Sequence, residues 1–218
     1  MTINTNYFNR SAREEMLKYI PANAEKILEV GCGEGLFLDL LTRAGKESWG
    51  LEINAEAAAE AQKFAGKILV GDFIAMSLSG DLPLGYFDCV VFNDVIEHFT
   101  DPWQAVRLVK PLLSPAGVIV ASIPNFRYIG NLVEIITTAD FRYREEGGIL
   151  DMTHFRFFTL KSIIRLFDEC GYRVVRYEGL RPCKSWKEKM VISLSMGRFE
   201  DMRHKQFAVV AQPRESII

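Results

Sequence analysis

Lys26-Ile-Leu-Glu-Val-Gly-Cys-Gly-Glu-Gly-Leu36 is the stretch from which the rest of the chain is read. Ile27, Leu28 and Val30 form a short apolar run that reads as a buried strand. Gly31, Gly33 and Gly35 follow at alternate positions, and Leu36, Phe37, Leu40 and Leu41 then repeat at helical spacing. A strand, a glycine turn and a helix in that order make a βα ligand-binding turn. Glycine suits it because a side chain would block a ligand pressed against the backbone, and because such turns use positive φ. The dinucleotide fingerprint G-x-G-x-x-G does not fit. The third glycine comes one residue early, and Leu36 stands where that pattern has Gly or Ala. Glu29, two residues before the first glycine, would repel a pyrophosphate and attract a cationic ligand. The plain alternative is a glycine-rich turn with no ligand.

Outward from this turn the chain alternates strands and helices. Trp49 to Asn54 reads as a second strand ending in an acid, and Glu52 lies 21 positions after Gly31. A doubly wound nucleotide fold places a carboxylate for ribose hydroxyls at that offset. Ala55 to Ala65 is alanine-rich and helical. Lys67 to Val70 is read as a short buried strand followed by Gly71-Asp72, with Asp72 placed to cap a helix near residues 73 to 79. Phe87 to Phe92 reads as a central strand running into Asn93-Asp94 and then Val95-Ile96-Glu97-His98. Asp101-Pro102 opens another helix, with proline in its first turn. Leu112 to Asn125 gives a turn and a fifth strand. Each landmark stands at the C-terminal end of an expected parallel strand, where open α/β sheets bind ligands.

The pattern E-x-G-x-G-x-G at 29–35 resembles the first motif of the class I S-adenosylmethionine (SAM) methyltransferases. The pattern F-D-x-V-x-x-x-x-V-x-E-H-x-x-D-P at 87–102 is similar to members of that family that modify small molecules, including ubiquinone-pathway O-methyltransferases. Leu112 to Gly117 resembles the family's L-x-P-G-G segment, with Ala116 replacing the first glycine. The segment D-x-T-H-x-R-F-F-T at 151–159 closely resembles a subset associated with surface-polysaccharide or sugar modification. The resemblance covers residues 26–124 well and 151–179 moderately.

The resemblance implies an α/β fold: a Rossmann-like seven-stranded, mostly parallel sheet with an antiparallel last strand, flanked by helices and carrying a lid inserted after strand 5. It implies SAM as cofactor and S-adenosylhomocysteine as product. Glu29, Gly31, Cys32, Gly33 and Gly35 would form the cofactor turn, and Glu52 and Ile53 would meet the ribose. Asp72 and Phe73 would meet the adenine, and Asn93 the methionine end. His98 and His154 are the candidate bases for a hydroxyl acceptor, with Glu97 or Asp94 orienting them. Either histidine also suits a purely structural role. Small-RNA 2′-O-methyltransferases, and some ubiquinone-pathway relatives, bind a divalent metal through an E-x-x-E-H motif plus further ligands. This chain departs from that motif, with Asp94 three residues before Glu97 and Asn93 preceding it, and the expectation is no tightly bound metal. The expected activity is O-methylation of a small molecule, first a glycan or nucleotide-sugar hydroxyl, otherwise a quinone-pathway phenol or a lipid head group. A non-catalytic binding module of the same fold is the alternative. An NAD-dependent oxidoreductase is disfavoured by the glycine spacing and by Glu29.

The composition agrees with a single enzyme domain over 1–218. Hydrophobic residues make up 49% and charged residues 25%, both ordinary for a globular chain. A net charge of −2 gives no sign of a nucleic-acid binder. No apolar run is long enough to span a bilayer, and the N-terminus lacks the pattern of a signal peptide. Cys32, Cys89, Cys170 and Cys183 are scattered and read as reduced thiols of a cytoplasmic protein.

Three segments lie outside the αβ alternation. An N-terminal helix is expected over 8–20, with Tyr7, Arg10 and Arg13 near the cofactor; an arginine there suits the methionine carboxylate or a solvated face. A lid is expected over about 126–158. A basic helical insertion is expected over about 181–203, where Trp186, Met190, Val191 and Leu194 repeat at helical spacing. That insertion suits an anionic substrate, a peripheral membrane contact or a partner subunit, or else a helix that packs Trp186 onto its own domain.

Overall fold

The computed structural model describes residues 12–145 and 147–214. Seven strands form one sheet: β1 (Lys26–Val30), β2 (Glu47–Glu52), β3 (Lys67–Val70), β4 (Phe87–Asn93), β5 (Leu113–Pro124), β6 (Tyr172–Pro182) and β7 (His204–Pro213). Their spatial order is β3-β2-β1-β4-β5-β7-β6. The pairs among β1 to β5 are all parallel, and β7 runs antiparallel to both β5 and β6. The order reverses between β1 and β4, and the crevice at such a reversal is where an α/β sheet takes its ligand.

Central strands read as unbroken apolar runs because both of their faces are covered. In β4, Val90 and Phe92 join Leu28, Phe167 and Tyr172 on one face. Cys89 and Val91 join Ile27, Phe37, Leu38 and Leu41 on the other. The second cluster includes α1 (Leu36–Arg43), and the first includes α4 (Pro102–Val109) and α6 (Leu160–Glu169). Caps set the starts of these helices. Asp101 accepts from the Gln104 amide at the head of α4, and Thr159 and Ser162 form a reciprocal box at the head of α6. Asp88 of the F-D pattern has a structural role. Its carboxylate accepts from the Glu25 and Lys26 amides and from the Ser114 hydroxyl, tying β1 and β5 to β4.

The N-terminal segment differs from the expected helix over 8–20. Glu14–Tyr19 is a 3-10 helix preceded by Arg13 at φ 53°, and Tyr7 and Arg10 lie outside the described residues. Met16 and Tyr19 are buried beneath it. Arg13 is not on a solvated face: it is only 4% exposed and pairs with Asp94 and Glu15. Residues 126–159 separate β5 from α6 and contain α5 (Ile129–Thr138).

Between β6 and β7 the insertion carries α7 (Trp186–Leu194) and a 3-10 turn, Glu200–Arg203. Its anchor differs from the one expected. Ile192 is buried with Cys183, Met202 and Ile129, whereas Trp186 is 68% exposed. Asn125, at the end of β5, is fully buried and donates to the Asp201 and His204 carbonyls, tying the insertion to the sheet.

Candidate functional site

The glycine turn leaves the end of β1 with Gly31, Gly33 and Gly35 all at positive φ. A Cβ on Gly31 would come within 2.7 Å of Val95, and one on Gly35 within 2.8 Å of the Ala61 backbone. The first approach brings the β4 loop over the turn, and the second lets α1 start against α2 (Ala55–Ala61). Glu52 holds this geometry from β2, accepting from the Gly33 amide at 2.9 Å and the Asn54 amide at 2.8 Å. The Cys32 thiol points into the core beside Gly50 and Leu38, and burial pushes it far above the ordinary thiol range. Cys32 therefore offers a ligand its backbone and no reactive sulfur.

Glu29 is 3% exposed under the turn. Asn93 donates its amide to Glu29 Oε1 at 2.9 Å. Glu29 Oε2 and Asn93 Oδ1 are both buried and have no protein partner. Two orphaned acceptors side by side are costly unless a donor fills them. A ligand ammonium has the right charge and the right donors, so these residues fit the amino-acid end of SAM. Desolvation raises the Glu29 pKa to about 8, and only the hydrogen bond from Asn93 and the charge of Arg13 oppose it. Asp72 caps α3 (Phe73–Ser79), accepting from the Ala75 amide at 2.8 Å, while Phe73 is buried beside it. Ile53 is 69% exposed at the end of β2. The candidate cofactor residues thus gather at the C-terminal ends of β1, β2, β3 and β4.

A second cluster forms where residues 151–159 fold back on the β4 loop. The Phe155 and Arg156 amides both donate to the Glu97 carbonyl, and Arg156 reaches the Thr100 carbonyl at 2.6 Å. Asp151 accepts from the Thr153 amide and hydroxyl, and its carbonyl accepts from the His154 amide. The D-x-T-H-x-R pattern is therefore a turn that delivers His154 to Glu97. The two imidazole rings of His98 and His154 lie 4.7 Å apart. His98 Nδ1 faces the Thr153 carbonyl at 3.1 Å, and His154 Nδ1 faces the Ile149 carbonyl at 3.0 Å. A carbonyl can only accept, so each Nδ1 carries hydrogen and each neutral Nε2 keeps a free lone pair. His154 Nε2 lies 3.9 Å from Glu97 Oε1, and neither Glu97 oxygen has a hydrogen-bond partner. Ligand atoms of Glu97, His98 and His154 all lie within 4.8 Å of one another.

Burial sets the charge of this cluster. It lowers both histidines below their ordinary value and raises Glu97 to about 8. Near neutral pH the contact is therefore between a neutral acid and two neutral imidazoles, and not an ion pair. A divalent cation fits the same set, since converging carboxylate and Nε2 atoms with Nδ1 fixed by carbonyls form a usual donor arrangement. Asp94 does not serve as an orienting group. Held at φ 58°, it pairs with Arg13 and accepts from Ser122 at 2.9 Å and Gln206 at 2.8 Å.

His154 also lines a recess of about 370 Å³ with Tyr143, Met152, Phe155 and Phe157. Of these, Tyr143, Met152 and Phe155 had no role assigned from sequence. Their signal was the aromatic density of residues 141–158, which carries no period.

The methyltransferase domain family model matches residues 1–177. The chain is 29% identical over 110 residues to a ubiquinone biosynthesis O-methyltransferase of Albidiferax ferrireducens, covering 48% of this chain and 43% of that one. It is 31% identical over 117 residues to the enzyme of that name from Pectobacterium atrosepticum, covering 50% and 48%. These matches span less than half the length of those relatives. Among solved structures, a SAM-dependent methyltransferase of Archaeoglobus fulgidus superposes with a TM-score of 0.68 at 23% identity, covering 90% of each chain. One from Mesorhizobium loti gives 0.64 at 18% identity, covering 93% of this chain and 98% of that chain. At these identities the two structures speak for the fold, which agrees with the sheet order, and the family match extends over most of the sequence. The chain belongs to the methyltransferase domain family, with the fold and the cofactor of the class I SAM-dependent methyltransferases.

Proposed function

We propose that the chain methylates a hydroxyl oxygen of a small-molecule acceptor, and that the His154 imidazole receives the hydroxyl proton at Nε2. The supporting observation is that His154, whose Nε2 keeps its lone pair, lines the recess and has Glu97 and His98 beside it, ligand atoms of the three lying within 4.8 Å of one another. When bound, SAM supplies a methyl group already activated by its sulfonium. The chain's residues have to hold the acceptor, exclude water and take the proton. Glu29 and Asn93 would hold the ammonium, Glu52 the ribose, and Asp72 with the Phe73 backbone the adenine. Gly31, Gly33 and Gly35 let the ligand lie close to the turn.

Tyr143, Phe155 and Phe157 line the recess, and such aromatic side chains suit a phenolic ring. A sugar hydroxyl is the second acceptor class. The 151–159 resemblance on which it rests has a positional explanation in the docking of His154, and this weakens it as a substrate signal. A transfer assay pairing catechols with a set of nucleotide sugars tests the reading, and the expected result is methyl incorporation into the phenolic set. Absence of transfer to any hydroxyl acceptor by protein that binds S-adenosylhomocysteine would favour the binding-module alternative. In the same preparation Glu52→Ala should weaken S-adenosylhomocysteine by about tenfold or more by calorimetry, since the carboxylate supports the turn through the Gly33 and Asn54 amides and would meet the ribose.

One observation favours a second reading of the proton-accepting cluster. Both Glu97 oxygens are orphaned, and a divalent cation held by Glu97, His98 and His154 would satisfy them and supply positive charge for an acceptor oxygen. The expectation of no bound metal came from a motif departure, and the geometry now makes it a question for a chelator. If the histidine acts alone, turnover survives a chelator; if a cation is held, turnover falls while S-adenosylhomocysteine binding is unchanged.

A further inference from the structure

The insertion between β6 and β7 has two apolar faces, one turned inward and one outward. Ile192 anchors α7 against Ile129, Cys183 and Met202. On the outward side Trp186, Met190 and Leu194, spaced four apart, are 68%, 49% and 74% exposed, and Met196 beyond them is 88% exposed. Leaving such a row in water is unfavourable, and a contiguous apolar patch rimmed by polar groups marks a contact surface.

The charges around the row indicate what covers it. Residues 181–205 hold seven cations and three acids, in a chain whose net charge is −2. Two of the acids are engaged, Glu200 with Arg203 and Asp201 with Arg127, and of the seven cations Arg203 and Arg181 are engaged too, Arg181 with Glu15. Lys184, Lys189 and Arg198 are exposed and, among the described residues, stand in no ion pair. A second copy of the chain meeting this face about a two-fold axis would set one basic rim against another. An anionic bilayer complements both features: its head groups meet the lysines, and its interface accepts tryptophan, methionine and leucine side chains lying in the membrane plane. We propose that the outward face of α7 docks the protein peripherally on an anionic lipid surface. The insertion is tied through Asn125 and the Arg127–Asp201 pair to the chain leading into Phe126, which packs on Phe157 of the recess. Docking therefore holds the recess side of the sheet close to the membrane.

Co-sedimentation with phosphatidylcholine vesicles, with and without phosphatidylglycerol, tests this. The bound-to-free ratio should be at least about tenfold higher on anionic vesicles and should fall as salt is raised. Leu194→Glu combined with Met196→Glu should abolish the binding, and these exposed positions leave S-adenosylhomocysteine affinity unchanged as a check on folding. Equal binding to neutral vesicles, or none to either kind, overturns the proposal. So does a dimer in sedimentation velocity that the same double variant dissolves.

Discussion

Replacing His154 with alanine is expected to lower turnover by about 10²–10⁴-fold while S-adenosylhomocysteine affinity changes less than about twofold. The separation follows from position. The proposed cofactor residues sit at the ends of β1 to β4, whereas His154 arrives on a segment folded back over the β4 loop and lines the recess proposed for the acceptor. A structural histidine would show a different result: loss of melting temperature and of cofactor affinity together. The pH profile adds a second readout. Burial lowers His98 and His154, so both are neutral proton acceptors at pH 7, and the acid limb of turnover should lie below about pH 6.5. An acid limb above pH 7, or a His154→Ala enzyme with wild-type turnover, would remove His154 from the mechanism.

Replacing Glu29 with glutamine should stabilise the free protein at alkaline pH and weaken cofactor binding at the same time. Desolvation raises Glu29 from an ordinary value of 4.5 to about 8 in the fold. The folded state therefore keeps a proton that the unfolded chain releases. The stabilising contribution is fully present below the unfolded pKa and is lost as pH rises through the folded one. At 1.36 kcal/mol per unit the loss between those values is on the order of 5 kcal/mol, an upper figure for one buried carboxyl. The lowered histidines act in the opposite direction, losing stability as pH falls, so comparing variant with wild type isolates Glu29.

The glutamine has no charge to desolvate, and its amide can donate to the orphaned Asn93 Oδ1. The variant should exceed wild type by about 2–4 kcal/mol near pH 8.5 and match it within about 1 kcal/mol near pH 5, read from denaturant unfolding. Near pH 8.5, where wild-type Glu29 has released its proton, S-adenosylhomocysteine should bind the variant about tenfold or more weakly, because a buried carboxylate meets an ammonium better than an amide does. A variant no more stable than wild type at pH 8.5 would show that Glu29 is not held protonated under the turn.

Much of the sheet was legible because its signals are local. The apolar run of Ile27 to Val30, the three alternating glycines and the acid at Glu52 each depend on near neighbours, as do the helix starts at Asp72 and Asp101. The same locality misled at Trp186, whose helical spacing suggested a packed residue while Ile192 does the anchoring. It misled at Asp94 too, placed by the sequence near the histidines and turned by the fold toward Arg13 and Gln206.

The sequence by itself determined the order of strands and helices, the glycine turn and its cofactor class, because period and turn chemistry act within a few residues. Only the tertiary structure decided how Glu97, His98 and His154 meet. The Thr153 carbonyl that fixes the His98 tautomer lies 55 residues away in the chain. Whether two such segments touch depends on how the insertion after β5 folds back, through amide bonds to the Glu97 carbonyl that no local pattern announces. The protonation and lone-pair directions of the site follow from that contact and from burial, which are properties of the packed molecule.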